Sequence, residues 1–275
     1  MSIKLIALDL DGTTINNDRV ISEGNRRAMR EAADKGVNIV IATGRPLGAL
    51  PKDVFEIEAI RYALTSNGAS ITDIREDRTF YENCLSPRAV QASVDLLRQH
   101  DYVLETFVKG VAYIEGWYYE EVKRTGYSFR DADYILNTRK PVDDIYDFML
   151  KNSEHLENIN VNFEDISEKP AMHEKLIKLP ETTITSSFDH NLEIGGETTS
   201  KADALRQMGR LMGIDKSEMM AVGDSPNDLA MLREAGTAVA VGNAKDEVKR
   251  VVDYVAPTNH EDGVADAIRR FVLDV

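Results

Sequence analysis

Asp9 and Asp11 stand two residues apart in Asp9-Leu10-Asp11-Gly12-Thr13, directly after the apolar run Ile3-Lys4-Leu5-Ile6-Ala7-Leu8. Two acids held this close repel unless a cation or a proton is shared between them, which points to metal-assisted chemistry. The plain alternative is an Asp-Gly turn with two solvated carboxylates. Three further groups carry unusual residues: Thr43-Gly44-Arg45, Lys201, and Gly223-Asp224-Ser225-Pro226-Asn227-Asp228. Gathered at one place they supply acids, a hydroxyl, a cation and a glycine-freed backbone. Phosphoryl transfer needs that set: a nucleophile in line with phosphorus, a divalent cation against the carboxylate-phosphate repulsion, and fixed donors for the equatorial oxygens. Hard oxygen ligands favour Mg²⁺ over a softer metal. Each piece alone also reads as ordinary structure: Thr43 in a strand-to-helix turn, Lys201 on a solvated surface, Asp224 and Asp228 as helix-capping acids. Lys201 is the informative one, because a cation at a helix amino terminus opposes the macrodipole and calls for an anionic neighbour.

These residues fall at the ends of recurring apolar runs, at 3–8, 37–42, 62–65, 219–222, 238–241 and 254–256. Between most runs lies a stretch with helical periodicity. Continuous apolar strands alternating with helices predict an α/β fold, a Rossmann-like doubly wound parallel sheet covered on both faces, and such sheets bind ligands beyond the carboxyl ends of their strands. Helix boundaries are readable: Ser22 caps a helix that Gly36 closes, Ser200 starts one ending near Gly213, and Ser225 precedes one with Pro226 at its first position. Thr13-Thr14-Ile15 and Arg19-Val20-Ile21, on either side of Asn16-Asn17-Asp18, read as a small β flap.

The middle of the chain is rich in aromatic residues, among them Tyr102, Tyr113, Trp117, Tyr118, Tyr127, Phe129 and Tyr134, and alternates less regularly. It reads as an inserted α/β domain over 85–189, between core segments 1–84 and 190–275. Its expected elements are a helix from Ser86-Pro87 and strands near 102–108, 111–115, 159–163 and 183–188. The aromatic stripe is expected to pack its core.

The 33 basic and 47 acidic residues leave a net charge of -14, which argues against general nucleic-acid binding and against attraction to an anionic membrane. No apolar segment approaches ~20 residues, and Met1-Ser2-Ile3-Lys4 leads straight into a strand, so a cytoplasmic protein is expected. The single cysteine, Cys84, leaves no internal disulfide, and the five histidines show no ligand spacing.

Taken jointly, Asp9-Leu10-Asp11-Gly12-Thr13, Ala42-Thr43-Gly44-Arg45-Pro46, Ser66-Asn67-Gly68-Ala69, Ser200-Lys201, Gly223-Asp224 through Asn227-Asp228, Gly242-Asn243-Ala244 and Glu261-Asp262-Gly263-Val264 resemble the haloacid dehalogenase-like phosphatases, in the Cof-type sugar-phosphatase branch with an α/β cap. The resemblance implies that Asp9 attacks phosphorus to form an aspartyl-phosphate, and that Asp11 protonates the leaving alcohol and then activates water. Thr43 and Lys201 would hold phosphoryl oxygens. Mg²⁺ would be bound by Asp9, the Asp11 main-chain carbonyl and Asp224, with Asn227 and Asp228 supporting the site. Gly12, Gly44, Arg45, Asn67 and Asn227 would border the phosphate and substrate. Residues 85–189 would form a specificity cap, joined by two strands acting as hinges near 80–86 and 187–193. The chain departs from the pattern at Ala202, where glycine is usual, and in the lead-in Gly195-Gly196-Glu197-Thr198-Thr199. The implied activity is a Mg²⁺-dependent phosphatase of small phosphorylated metabolites, sugar phosphates foremost. A phosphomutase on the same fold and a non-catalytic phosphometabolite-binding protein are the rivals. A signalling receiver also uses an Asp cluster, a Thr and a Lys, but it is one small domain with no such insert.

Overall fold

Leu5, Ile6, Ala7 and Leu8 are wholly buried, as a strand flanked by neighbours and covered on both faces must be. A computed structural model describes residues 2–128 and 131–273; Phe129, one of the aromatic residues of the middle segment, lies outside them. By internal contacts the chain forms two compact units. One runs through Gly44, takes in Leu50–Tyr81 and resumes at Ser200; the other comprises Arg45–Ala49 and Glu82–Thr199.

The first unit is built on strands β1 (Leu5–Leu8), β2 (Asn38–Ala42), β3 (Ile60–Thr65), β4 (Ser70–Asp73) and β5 (Arg78–Glu82), joined late in the chain by β12 (Met219–Gly223), β13 (Thr237–Ala240) and β14 (Tyr254–Val255). Their order is β14-β13-β12-β1-β2-β3-β4-β5. The six expected strands are present and parallel. β4, which has no expected counterpart, and β5, which overlaps the hinge strand expected near 80–86, extend the sheet, β4 running antiparallel to β3. Leu8 is level with Val222 on one side and Ile41 on the other, so the residues that follow β1, β2 and β12 emerge side by side. The segment expected as a β flap is a turn. Asn16 Oδ1 accepts from the N–H groups of Asp18 and Val20, a ladder is limited to one bridge between Asp11 and Ile15, and the side chain has taken the donors that a strand would pair.

The second unit carries β6 (Val103–Val108), β7 (Val111–Glu115), β8 (Arg139–Val142), β9 (Leu156–Asn162), β10 (Thr182–Thr185) and β11 (Asn191–Gly196), in the order β10-β11-β9-β6-β7-β8. Helices Pro87–Leu97, Ile145–Lys151 and Lys169–Leu176 bury one apolar face of this sheet through Val90, Val94, Met149 and Leu176. A smaller cluster, with Ile114, Tyr118 and Ile135, lies under helices Gly116–Thr125 and Ala132–Thr138. The aromatic stripe is split: Tyr118 is buried, while Trp117 and Tyr127 are 60% and 70% exposed. β11 pairs with β9 and β10, so the second unit runs to Thr199, beyond the boundary expected at 190. β8 has no counterpart among the expected strands, and β11 overlaps the hinge strand expected near 187–193.

Candidate active site

Asp9 leaves β1 with its N–H donated to the Val222 carbonyl at 3.0 Å, and the Thr14 hydroxyl donates to the Asp9 carbonyl at 2.5 Å. The turn that follows needs glycine: Gly12 has φ +80°, and a Cβ there would sit 2.7 Å from Asp224 Oδ2. The Gly12 carbonyl accepts from Asn243 Nδ2 at 2.7 Å. Lys201 starts the helix Lys201–Met212, which Ser200 caps by accepting the Asp203 N–H. Its ammonium is 1% exposed and donates to Asp9 Oδ1 at 2.6 Å and to Asp228 Oδ1 at 2.7 Å. The cation that opposes its own helix dipole thus has two anions as neighbours.

Asp228 serves in two directions, since its other oxygen accepts the N–H groups of Asp224 and Ser225, both at 3.0 Å. Asp224 is oriented by the Thr13 hydroxyl on Oδ1 at 3.0 Å and the Ser225 hydroxyl on Oδ2 at 3.1 Å. One carboxylate oxygen from each of Asp9, Asp224 and Asp228 lies within 4.8 Å of the others. Burial, and then the Asp228 charge, push the Asp9 carboxyl well above the usual range against the pull of Lys201. Burial and Asp228 also raise Asp224, and the two carboxylates raise Lys201 against its own burial.

On the β2 side, Thr43 is 1% exposed and its carbonyl accepts the Asn67 N–H at 3.0 Å. Asn67 takes the left-handed conformation, φ 56°, and its Oδ1 accepts from Asn227 Nδ2 at 3.4 Å. Gly44 lies against the same carboxamide. The turn at Ser66–Gly68 abuts the Ser200 carbonyl, so it also sets where the Lys201 helix begins.

The structure therefore brings Asp9, Gly12, Thr43, Gly44, Asn67, Lys201, Asp224, Asn227 and Asp228 into one unit at neighbouring strand ends. Asp11 belongs to the same turn with an exposed side chain; among the described residues the three-acid cluster contains Asp228 in place of the Asp11 carboxylate. Arg45 groups with the second unit, where its guanidinium lies 4.8 Å from the Tyr134 ring centroid and donates to the Ala49 carbonyl at 3.1 Å. Thr13, Thr14, Ser225 and Asn243 orient the cluster and were given no such role on sequence grounds. Thr13 ends the acidic motif and Thr14 directly follows it, the signal that marks both.

The haloacid dehalogenase-like hydrolase family model matches residues 6–268. A 5-amino-6-(5-phospho-D-ribitylamino)uracil phosphatase of Bacillus subtilis, YcsE, is 34% identical over 273 residues, covering 99% of this chain and 97% of that protein. The phosphatase YwpJ of the same organism is 29% identical over 98% of this chain and all of its own. A solved haloacid dehalogenase-like hydrolase from B. subtilis superposes with a TM-score of 0.85 at 28% identity, over 98% of this chain and 100% of that one. By family match, fold and relatives, this chain belongs to the haloacid dehalogenase-like hydrolases and is one of their phosphatases.

Proposed function

We propose that the chain is a Mg²⁺-dependent cytoplasmic phosphatase that hydrolyses small phosphorylated metabolites, sugar phosphates foremost, through an aspartyl-phosphate on Asp9. The observation that carries the reading is the buried Lys201 ammonium, shared between Asp9 and Asp228 beside Asp224. Three carboxylates against one ammonium leave an excess of negative charge on hard oxygen donors, which fits a divalent cation of the Mg²⁺ type. Asp9, Asp224 and the Asp11 carbonyl would hold it, with Asp228 already engaged by Lys201 and two N–H groups. When bound, Mg²⁺ offsets the repulsion between the carboxylates and the incoming phosphate.

Lys201 holds one oxygen of Asp9, so the other attacks phosphorus as the bond to the leaving alcohol breaks. Asp11, exposed in the same turn, gives its proton to that alcohol. It then takes a proton from the water that attacks phosphorus, and the Asp9 ester bond breaks. The Thr43 hydroxyl and the Asn67 and Asn227 carboxamides stand as donors to phosphoryl oxygens. Residues 85–189 would select the organic part of the substrate. A relative that acts on a phosphorylated ribityl chain supports the choice of a small polar phosphate ester.

Phosphate release from a panel of sugar phosphates, with Mg²⁺ and with excess chelator, tests the proposal. Release that needs Mg²⁺ is expected. Activity that persists in chelator would remove the metal, and an isomerised phosphosugar with little free phosphate would favour a mutase.

A further inference from the structure

Gly242-Asn243-Ala244 and Glu261-Asp262-Gly263-Val264 take no direct part in the proposed reaction. Both lie in loops of the first unit, one after β13 and the other after β14. Those strands stand two and three places from β1, about 10–15 Å away at the usual spacing, so the loops must lean across the end of β12 to reach the acidic turn. The first loop does so on main-chain bonds. The Val241 N–H donates to the Gly223 carbonyl at 3.3 Å and the Lys245 N–H to the Asp224 carbonyl at 3.0 Å. The second is shaped by Thr258, whose hydroxyl and N–H donate to the Glu261 carboxylate at 2.8 and 3.3 Å, and by Gly263, where a Cβ would stand 2.2 Å from the Pro257 carbonyl oxygen. The Gly242 N–H donates to the same Pro257 carbonyl at 3.0 Å and so joins the two loops.

Together the loops present two carboxamides to the turn. Asn243 Nδ2 donates to the Gly12 carbonyl at 2.7 Å, and Asn259 Nδ2 to the Ile15 carbonyl at 2.9 Å, across 231 and 244 residues of sequence. The Asn259 N–H donates to Asn243 Oδ1 at 2.8 Å, which fixes that carboxamide with its amino group toward Gly12. Gly12 and Ile15 bracket the turn that follows Asp11. The hydroxyls between them are committed elsewhere, Thr13 to Asp224 and Thr14 to the Asp9 carbonyl. A ladder adds little, being one bridge between Asp11 and Ile15. Asn259 is 5% exposed, but Asn243 is exposed, and a hydrogen bond at such a position adds little to the stability of the fold. Its geometry therefore matters more for where it holds the turn than for how tightly the chain folds.

We propose that Asn243 and Asn259 are positioning residues for the acid–base work of Asp11: they clamp the turn by its Gly12 and Ile15 carbonyls and so hold the Asp11 carboxyl at the leaving oxygen. The proposal rests on the phosphatase reading above, in which Asp11 gives its proton to the leaving alcohol, and neither asparagine touches substrate. An exposed carboxyl on an unclamped turn strays by about an ångström, enough to lose much of the benefit of a placed acid. The clamp matters in proportion to the leaving group's need of that proton. A sugar alkoxide departs poorly without one; a p-nitrophenolate departs unaided.

The test compares kcat/KM for the primary-alcohol sugar phosphate hydrolysed fastest in the panel with that for p-nitrophenyl phosphate, in the full chain with Mg²⁺. This constant covers the steps up to departure of the alcohol, so hydrolysis of the aspartyl-phosphate does not enter it. Asp11→Asn sets the scale, with an expected loss of about a hundredfold on the sugar ester and less than about tenfold on the aryl ester. Asn243→Ala and Asn259→Ala should show the same pattern, losing about tenfold on the sugar ester and less than about threefold on the aryl ester. Asn259→Ser serves if alanine at that buried position prevents folding, with the same selective loss expected. A role in the fold alone would lower Tm and reduce both esters in equal proportion. That result, or wild-type rates on both esters, would overturn the clamp while the phosphatase reading stands. Equal losses in Asp11→Asn would overturn the acid role of Asp11 and the clamp with it. Release of phosphate from no sugar phosphate by the wild type would instead overturn the phosphatase reading itself.

Discussion

Lys201 is shared by two carboxylates of unequal fate. On the proposed mechanism Asp9 loses its charge each time it is esterified, while Asp228 keeps its own, so the buried ammonium always retains one anion. Removing the ammonium strands both acids. Lys201→Met should cost about 3–5 kcal/mol of stability along with the activity, measured as a fall in Tm and in phosphate release. A variant as stable as wild type would contradict the pairing. Asp9→Asn has the opposite profile: turnover should drop by at least about 10³-fold. Its Tm should hold or rise, because one of three crowded acids is gone. Wild-type-like turnover in that variant would refute the nucleophile. The raised carboxyls of Asp9 and Asp224 also carry a pH signature. Below the ordinary carboxylate range both folded and unfolded chains hold these protons, and nothing is lost. As pH climbs through the raised folded-state values, ionising the cluster costs stability. Mg²⁺ relieves that cost, so it should raise Tm more at about pH 8 than at about pH 5. Equal increments at both, read by thermal scanning, would dissociate the metal from these two acids.

At the scale of elements, aligned strand ends and two tight turns position the chemistry. Gly68 has φ +96°, and a side chain there would run into the Ser200 carbonyl. Gly68→Ala should therefore push back the start of the Lys201 helix, costing more than about 2 kcal/mol and lowering kcat more than it raises KM, as steady-state kinetics would show. Ala202, buried in the first turn of the same helix, is a tolerated departure: Ala202→Gly should cost up to about 1 kcal/mol and leave turnover nearly unchanged. A large gain in turnover would mean that alanine holds Lys201 out of place. These elements were unevenly legible. The parallel strands could be read because burial on both faces makes them continuous apolar runs, as in Leu5–Leu8. β11 was legible only in part, as a hinge strand near 187–193, because Asn191 and Glu193 are polar yet buried, and that pairing exists only in three dimensions. β8, with Arg139-Lys140-Pro141-Val142, failed for the same reason: Arg139 is buried against Glu105. Within the site, Asp228 read as a capping acid and does cap, but its second bond to Lys201 spans 27 residues of sequence. Arg45 shows the converse, a residue adjacent to Thr43 and Gly44 in sequence that groups with the other unit, against Tyr134 and Ala49.

For the molecule as a whole, the decisive feature is that β1 lies between β2 and β12, the first two close in sequence and the third arriving after the entire inserted unit. Asp9 and Lys4 direct their N–H groups to Val222 and Glu218, so one edge of β1 has no partner until that late segment exists. A chain truncated after Gly213 should consequently fail to give a cooperative transition and should aggregate, which calorimetry and sedimentation would reveal. A soluble, cooperatively folding fragment would show that β1 does not depend on β12. During synthesis the same geometry imposes a delay. At about 5–20 residues per second, the ribosome needs some tens of seconds to pass from β1 to β12, and throughout that interval an apolar strand edge is presented to other nascent chains. The proposed nucleophile, Asp9, is made about two hundred residues before Lys201, Asp224 and Asp228, so a chain that stalls between them carries an aggregation hazard and no activity.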